Sequence, residues 1–347
     1  MTKAPPPQLD LFGPPPSDPT ATTPSGVRPV GVSPSLRSLA TSLGTGAHLG
    51  TSSWSFPGWT GIVWGNEATQ TALVRSGLNA YAQHPLLRTV GVDRTFYAPV
   101  SREVFADYAA GVPEDFRFLV KAHDACTLAR FPGHARYGAH RGQPNPRFLD
   151  ASYATDAVVQ PFVEGLGRQA GPLVFQFPPQ DPRALGGGKG FAEAVHTFAS
   201  ALPKGPLYAF EVRNRELMTA ELQAALADVK AVPVMAVWGA LPSVLVQAKA
   251  LAAKGAPALV VRWMLPPNVE YEEARARFAP FDRLVNEQPR TRSEIAELCA
   301  AALQSGTPAF VTINNKAEGS APLSVFKLAE EIRRHWTAGP SLLPETE

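Results

Sequence analysis

Apolar runs of four to seven residues recur along this chain, and nearly every one ends in or leads into polar, charged or tryptophan residues. The runs cover residues 47–51, 86–92, 116–120, 172–177, 206–212, 232–237, 258–261 and 309–313. At their ends stand Ser52, Ser53 and Trp54, then Asp93 to Tyr97, Lys121 to His123, Gln176, Glu211 to Asn214, Trp238, Arg262 with Trp263, and Asn314 to Lys316. Runs so short and so continuously apolar predict strands covered on both faces, as in a parallel sheet. Between them the spacing turns helical. Residues 102–110 place Val104, Phe105 and Tyr108 three and four apart, and 221–229 set Leu222, Ala225, Leu226 and Val229 on one face. Residues 293–303 open on Ser293 and Glu294, and 323–336 carry Val325, Phe326, Leu328, Ile332 and Trp336. The triplet Gly186, Gly187 and Gly188 reads as a linker. Eight strands alternating with helices predict a closed (β/α)8 barrel of the TIM type, with its chemistry at the C-terminal rim of the strands. An open doubly wound sheet competes, but no GxGxxG or Walker loop follows any early strand.

Composition narrows this picture. A chain of 347 residues with 45% hydrophobic and 18% charged side chains fits a barrel in one globular domain. The net charge of +2 leaves any attraction to nucleic acid to a local patch. Cys126 and Cys299 show neither metal-type spacing nor a disulfide framework, which predicts a reduced, cytoplasmic setting. No apolar stretch approaches the ~20 residues needed to cross a bilayer, so no membrane partner is expected.

Ten prolines fall in residues 1–45, among Ser, Thr and Gly, predicting a disordered tail ahead of a barrel over 46–338 and a flexible end at 339–347. Gln8, Leu9, Asp10, Leu11 and Phe12 form an apolar group in that tail. In a segment without a core, such residues read as a docking peptide. The pentapeptide resembles the QL(S/D)LF motif by which bacterial replication and repair proteins bind the polymerase sliding clamp. That resemblance implies amide hydrogen bonds from Gln8 and an apolar pocket filled by Leu11 and Phe12, with Leu9 also partner-binding; a chance apolar cluster is the alternative.

Several strand ends together resemble the YecE-like family, domain-of-unknown-function family 72. They are Gly50 to Trp59 (GTSSWSFPGW), Thr95-Phe96-Tyr97, Val120-Lys121-Ala122, Phe175 to Pro179 (FQFPP), Glu211-Val212-Arg213 and Asn314-Asn315. The resemblance runs in order over roughly residues 47 to 336 and implies a barrel fold with a pocket, without a reaction. Against the family pattern, a second-strand carboxylate is replaced by Gly91, with Asp93 two residues on. The histidine after the fifth strand is replaced by Asn214, and the seventh-strand Arg-x-His-Gly by Arg262-Trp263-Met264-Leu265.

Candidate chemistry follows from the strand ends. Glu211 and Arg213, two apart on one strand, point the same way, as general acid or base with an anion clamp, or as a structural ion pair. Lys121 ends an apolar run, where it serves as an anion clamp, a desolvated amine nucleophile or a solvated strand end. Asp93 and His123 join the catalytic candidates. Arg262, Asn314, Asn315 and Lys316 add donors on the last two strands, where barrels often hold phosphate. Gln176 and Tyr97 complete the rim, and Trp54 and Trp59 offer ring faces for bases or sugars, or else plug the mouth. The loop over residues 122–150, with Arg130, Arg136, Arg141 and Arg147, reads as a basic patch or as a merely soluble loop. No HExxH or paired-carboxylate motif predicts a metal, and no motif names a cofactor. Two readings result: a clamp-recruited DNA-repair or replication enzyme acting on phosphodiester or sugar groups, or a small-molecule sugar or sugar-phosphate isomerase or hydrolase. A non-catalytic binding barrel is a third.

Overall fold

A computed structural model describes residues 26–267 and 269–338. Its strands are β1 (Ala47–Thr51), β2 (Thr89–Val92), β3 (Arg117–Lys121), β4 (Ala170–Phe177), β5 (Tyr208–Val212), β6 (Val232–Val237), β7 (Leu259–Trp263) and β8 (Ala309–Ile313). All pair in parallel in chain order, and β8 returns to β1 over five register pairs to close the barrel. The helices are α1 (Pro34–Ser42), α2 (Gln70–Ala82), α3 (Arg102–Ala110), α4 (Ala151–Ala154), α5 (Gln160–Leu166), α6 (Gly187–Ala201), α7 (Ala220–Asp228), α8 (Val244–Leu251), α9 (Tyr271–Phe278), α10 (Pro289–Gln304), α11 (Asn315–Glu318) and α12 (Ala321–Ala338). None of the helices described is long and apolar enough to cross a membrane.

Strand alternation sorts the side chains into two cores. Phe118, Phe175, Phe177, Phe210, Val261 and Trp263 face outward and belong to the large cluster under the helices. Leu119, Val174, Ala209, Val234, Val260 and Phe310 form a separate apolar cluster inside the barrel. His48 closes it from below, stacked on Phe310 at 4.6 Å. Because side chains on a strand repeat every second residue, the next inward positions are Lys121, Gln176, Glu211, Ala236, Arg262 and Thr312. An apolar layer therefore carries a largely polar one at the mouth. Lys121 pairs in register with Val174, Gln176 with Glu211, Ala236 with Arg262, and Arg262 with Thr312.

Three local differences from the sequence reading have physical causes. Residues 34–42 of the expected tail form α1, where Pro34 opens the first turn and the Ser33 hydroxyl accepts from the Leu36 amide. Leu36, Leu39 and Ala40 pack on the large core, so the fold begins before residue 46. The glycine triplet is a helix start: Gly186 takes φ 79° as N-cap of α6. A Cβ on Gly188 would come 2.7 Å from Thr219 Cγ2, so only glycine permits that approach. Finally, α10 begins at Pro289 rather than Ser293, since proline needs no amide partner in the first turn. Gln8 to Phe12 and residues 339–347 lie outside the described residues.

Candidate active site at the barrel mouth

Glu211, wholly buried on β5, anchors the polar layer. Its Oε1 accepts from Arg213 Nε at 2.7 Å and its Oε2 from Arg262 Nη1 at 2.5 Å. Arg262 Nη2 then reaches Asp93, at 3.0 and 3.2 Å to the two carboxylate oxygens. Burial would raise the Glu211 carboxyl, but Arg262, Arg213 and Lys121 outweigh it and hold it at about 2. A carboxylate so acidic, with both oxygens bonded to guanidinium groups, matches the structural ion pair read from sequence better than a general acid or base, and it fixes the two arginines. Asp93 is more open, its side chain 18% exposed against none for Glu211. Arg213 lies 4.5 Å from the Trp238 ring centre, which keeps its guanidinium at the rim.

Lys121 ends β3 and is 1% exposed. The Thr95 hydroxyl donates to its backbone carbonyl at 2.6 Å, and its Nζ lies 3.7 Å from the centre of the Phe96 ring. Among the described residues this amine forms no hydrogen bond or ion pair. Burial pushes it down to about 7, with Asp93 opposing and Arg262 and Arg213 adding to the shift. Lys316 is a second buried amine, on the short helix after β8. Its Nζ lies 4.2 Å from the Tyr271 ring centre and 3.4 Å from Asn314 Oδ1. Burial brings it to about 8, Arg275 adding to the fall while Glu272 and Asp93 oppose it. Asn314 holds the turn, its Nδ2 donating to Ser52 Oγ at 2.8 Å and its Oδ1 accepting from the Lys316 amide at 3.0 Å. Gln176 is buried beside Glu211 in register.

His123 belongs to a neighbouring network. Its Nδ1 lies 2.6 Å from the Tyr153 hydroxyl and its Nε2 3.5 Å from Asp124. Burial lowers its pKa, with Asp124 opposing. Asp124 also binds Arg136 and accepts from the Tyr137 hydroxyl at 2.6 Å. Arg136 covers the Tyr97 ring at 4.7 Å, and Tyr97 remains 39% exposed at the rim. The arginines of the basic loop make contacts within it yet stay at the surface: Arg136 is ion-paired to Asp124, Arg130 donates to Gly142 O, and Arg147 stacks on Tyr153 at 4.4 Å, all three remaining exposed. Asp93, Glu211 and His123 do not converge, and among the described residues no three His, Cys, Asp or Glu gather as a metal site.

The expected stacking platform is corrected. Trp54 is 3% exposed, edge-on to Tyr108 at 5.4 Å, and Trp59 is wholly buried. Asn315 is held through its acceptor: its Oδ1 accepts from Trp59 Nε1 at 3.1 Å and from the Ala321 amide at 2.8 Å, while its buried Nδ2 has no hydrogen-bond partner among the described residues. These residues lock the loop after β1 to the start of α12, because a large ring with one N–H is buried most cheaply against a fixed acceptor. Sequence reading missed Thr95 and Phe96, which seat Lys121, and the segment from Leu265 to Phe281. There Leu265, Ala274, Phe278 and Phe281 form a small third cluster with Phe56, Trp238 and Tyr271 over the mouth. Thr95 and Phe96 stood in the motif that suggested the family, so that signal was present; α9, rich in Glu and Arg, offered none.

These features define a closed parallel barrel with a buried, cation-rich mouth. The chain belongs to the family described as "Protein of unknown function DUF72", which matches residues 48–346. Similar solved structures include a DUF72 family protein from Enterococcus faecalis, at 13% identity and TM-score 0.51 over 83% of this chain and 96% of that one. Another is a DUF72 family protein from Thermotoga maritima, at 16% identity and TM-score 0.51 over 83% and 99%. Both likenesses concern the fold. No curated protein matches.

Proposed function

We propose that this protein is an enzyme whose barrel mouth binds a small anionic ligand, of the phosphorylated or carboxylated sugar type, for an isomerase or hydrolase reaction driven by proton transfer. The observation that carries this reading is a charge imbalance. Asp93 and Glu211 face four cationic side chains, Arg213, Arg262, Lys121 and Lys316, of which Glu211, Arg262, Lys121 and Lys316 are all buried. Uncompensated buried charge is costly, and both lysines meet that cost by a lowered proton affinity. An anion seated there would restore the balance, with Arg213, Asn314, Gln176 and Tyr97 orienting it. Asp93, the more open carboxylate, is the proton-transfer group, and Glu211 holds the arginines.

Binding an anion next to lysines near pH 7 to 8 should draw in protons. Calorimetry with inorganic phosphate and sugar phosphates, repeated in buffers of different ionisation enthalpy, is expected to register that uptake, with affinity falling above pH 8 by about tenfold per pH unit for each lysine that takes up a proton. Affinity independent of pH, or unchanged in Lys316→Met, would overturn the reading.

Recruitment to a DNA-replication or repair site by the sliding clamp is a second proposal, resting on Gln8, Leu9, Leu11 and Phe12 alone. Of the loop's arginines, Arg136 is already paired with Asp124, whereas Arg130 and Arg147 stay exposed where a phosphate backbone could reach them. Clamp capture that survives deletion of residues 8–12 removes this reading.

A further inference from the structure

We infer that Lys121 is a covalent catalytic residue whose Nζ condenses with the carbonyl carbon of a small anionic aldehyde or ketone to form an imine, an inference that rests on the anion-binding reading above. Four cationic side chains line this layer, and three of them have evident partners. Arg213 and Arg262 are ion-paired to Glu211, with Arg262 also on Asp93. Lys316 approaches the Asn314 amide oxygen at 3.4 Å. Lys121 alone lacks such a partner among the described residues, although it is 1% exposed. A cation kept for structure in a barrel interior is normally paired or multiply hydrogen-bonded, because desolvation is otherwise too costly. Its stem, by contrast, is well fixed. The Thr95 hydroxyl bridges Lys121 O at 2.6 Å and Val92 O at 2.8 Å, tying the ends of β2 and β3 together beneath the amine. The ring of Phe96 covers one side of Nζ at 3.7 Å and so limits its approach to the remaining directions. A fixed stem with an unpartnered head is the arrangement a nucleophilic amine requires.

The amine at about 7 supports this geometry. Near neutral pH about half of it carries a free electron pair, against roughly one part in 2,500 for an ordinary exposed lysine, an advantage on the order of 10³. In the reaction the nitrogen pair attacks the carbonyl carbon, the C–N bond forms, the C=O π bond breaks, and a proton moves from nitrogen to oxygen. The resulting hydroxyl takes a second proton and leaves as water while the nitrogen pair forms C=N. Counted from the ammonium form, lysine and carbonyl compound become a protonated imine and one water, with no oxidant or reductant consumed. Asp93 is the group placed to hold the proton in transit, since it alone among the layer's carboxylates retains exposure. The positive imine then draws electrons from the adjacent carbon, which is what an isomerisation by proton transfer needs.

The test uses the full chain with pyruvate or dihydroxyacetone phosphate in the presence of cyanoborohydride, which reduces an imine to a stable secondary amine. Peptide mass spectrometry locates the product, and thermal stabilisation by inorganic phosphate is measured in parallel. The expected result is an adduct on Lys121 exceeding that on exposed Lys204 and Lys254 by about a hundredfold. The adduct is lost in Lys121→Arg, a variant that keeps the charge but offers no condensing amine. Phosphate stabilisation without an adduct on Lys121 overturns the imine and leaves the anion site standing. An adduct without phosphate stabilisation overturns the anion site instead, and the absence of both overturns the two together. Labelling spread evenly over lysines also overturns the imine.

Discussion

At the scale of single residues, Lys121 and Glu211 show how one environment sets two opposite outcomes. Both are buried in the same layer, yet the carboxylate is held charged by two guanidinium groups while the amine, next to the same guanidiniums, is pressed toward neutrality. The amine leaves a mark on stability. Its pKa is about 7 in the fold and an ordinary lysine value when unfolded, so between those limits the unfolded chain binds more protons. Stability should therefore rise with pH above 7, by about 1.4 kcal/mol per unit from this group. Urea unfolding at pH 7, 8 and 9 is expected to show that slope, and Lys121→Met to flatten it while being the more stable protein at pH 7. Equal slopes in the two proteins would contradict the burial of the charge. Which residues would end strands was legible from the chain, and so were Lys121, Asp93 and Arg262 as rim candidates. That Glu211 would spend both oxygens on arginines was not, because Arg262 lies 51 residues away and its rotamer is decided by the barrel's closure.

At the scale of elements, the strands were readable because a parallel barrel covers both faces of each one, leaving unbroken apolar runs of the right length. Residues 47–51, 232–237 and 309–313 coincide with β1, β6 and β8. The segment around α9 was not readable, since only Ala274 and Phe278 of its eight residues are buried and its charged face gives no core stripe. The contact between β1 and β2 depends on something composition hides. A Cβ on Gly50 would lie 1.8 Å from Thr89 O, so the two strands meet only because that side chain is missing. Gly50→Ala is accordingly expected to cost about 3 kcal/mol or to prevent folding, measured as a lowered urea midpoint. A neutral effect would mean that the first two strands are farther apart than described. The same crowding bears on Gly91, whose Cβ would come 3.0 Å from Ser52 Cα. With that inward position closed to bulk, the carboxylate two residues later, Asp93, is the one that reaches Arg262.

At the scale of the whole molecule, the barrel is completed by a segment that its proline content disguised. Pro34 reads as a breaker, yet in the first turn of α1 it is compatible with a helix whose Leu36 and Leu39 cover the large core. Two truncations separate this from the residues before it. Removal of residues 1–25 is expected to leave the melting temperature unchanged, whereas removal of residues 1–45 should lower it by about 5 °C through the exposed apolar surface of the core. Calorimetric melting of the two shortened proteins decides the matter, and equal melting points would make α1 dispensable. Before α1, Val30 N–H donates to Val63 O at 2.9 Å and Gly65 N–H to Arg28 O at 2.8 Å, so the chain is stitched to the loop that leaves β1 at the site-bearing end. The polypeptide thus comes in over the open rim and only then descends to begin the first strand. A change that loosens residues 28–30 would therefore be felt first by the loop that bears Trp59, at the end of the cylinder where Lys121 and Arg262 lie.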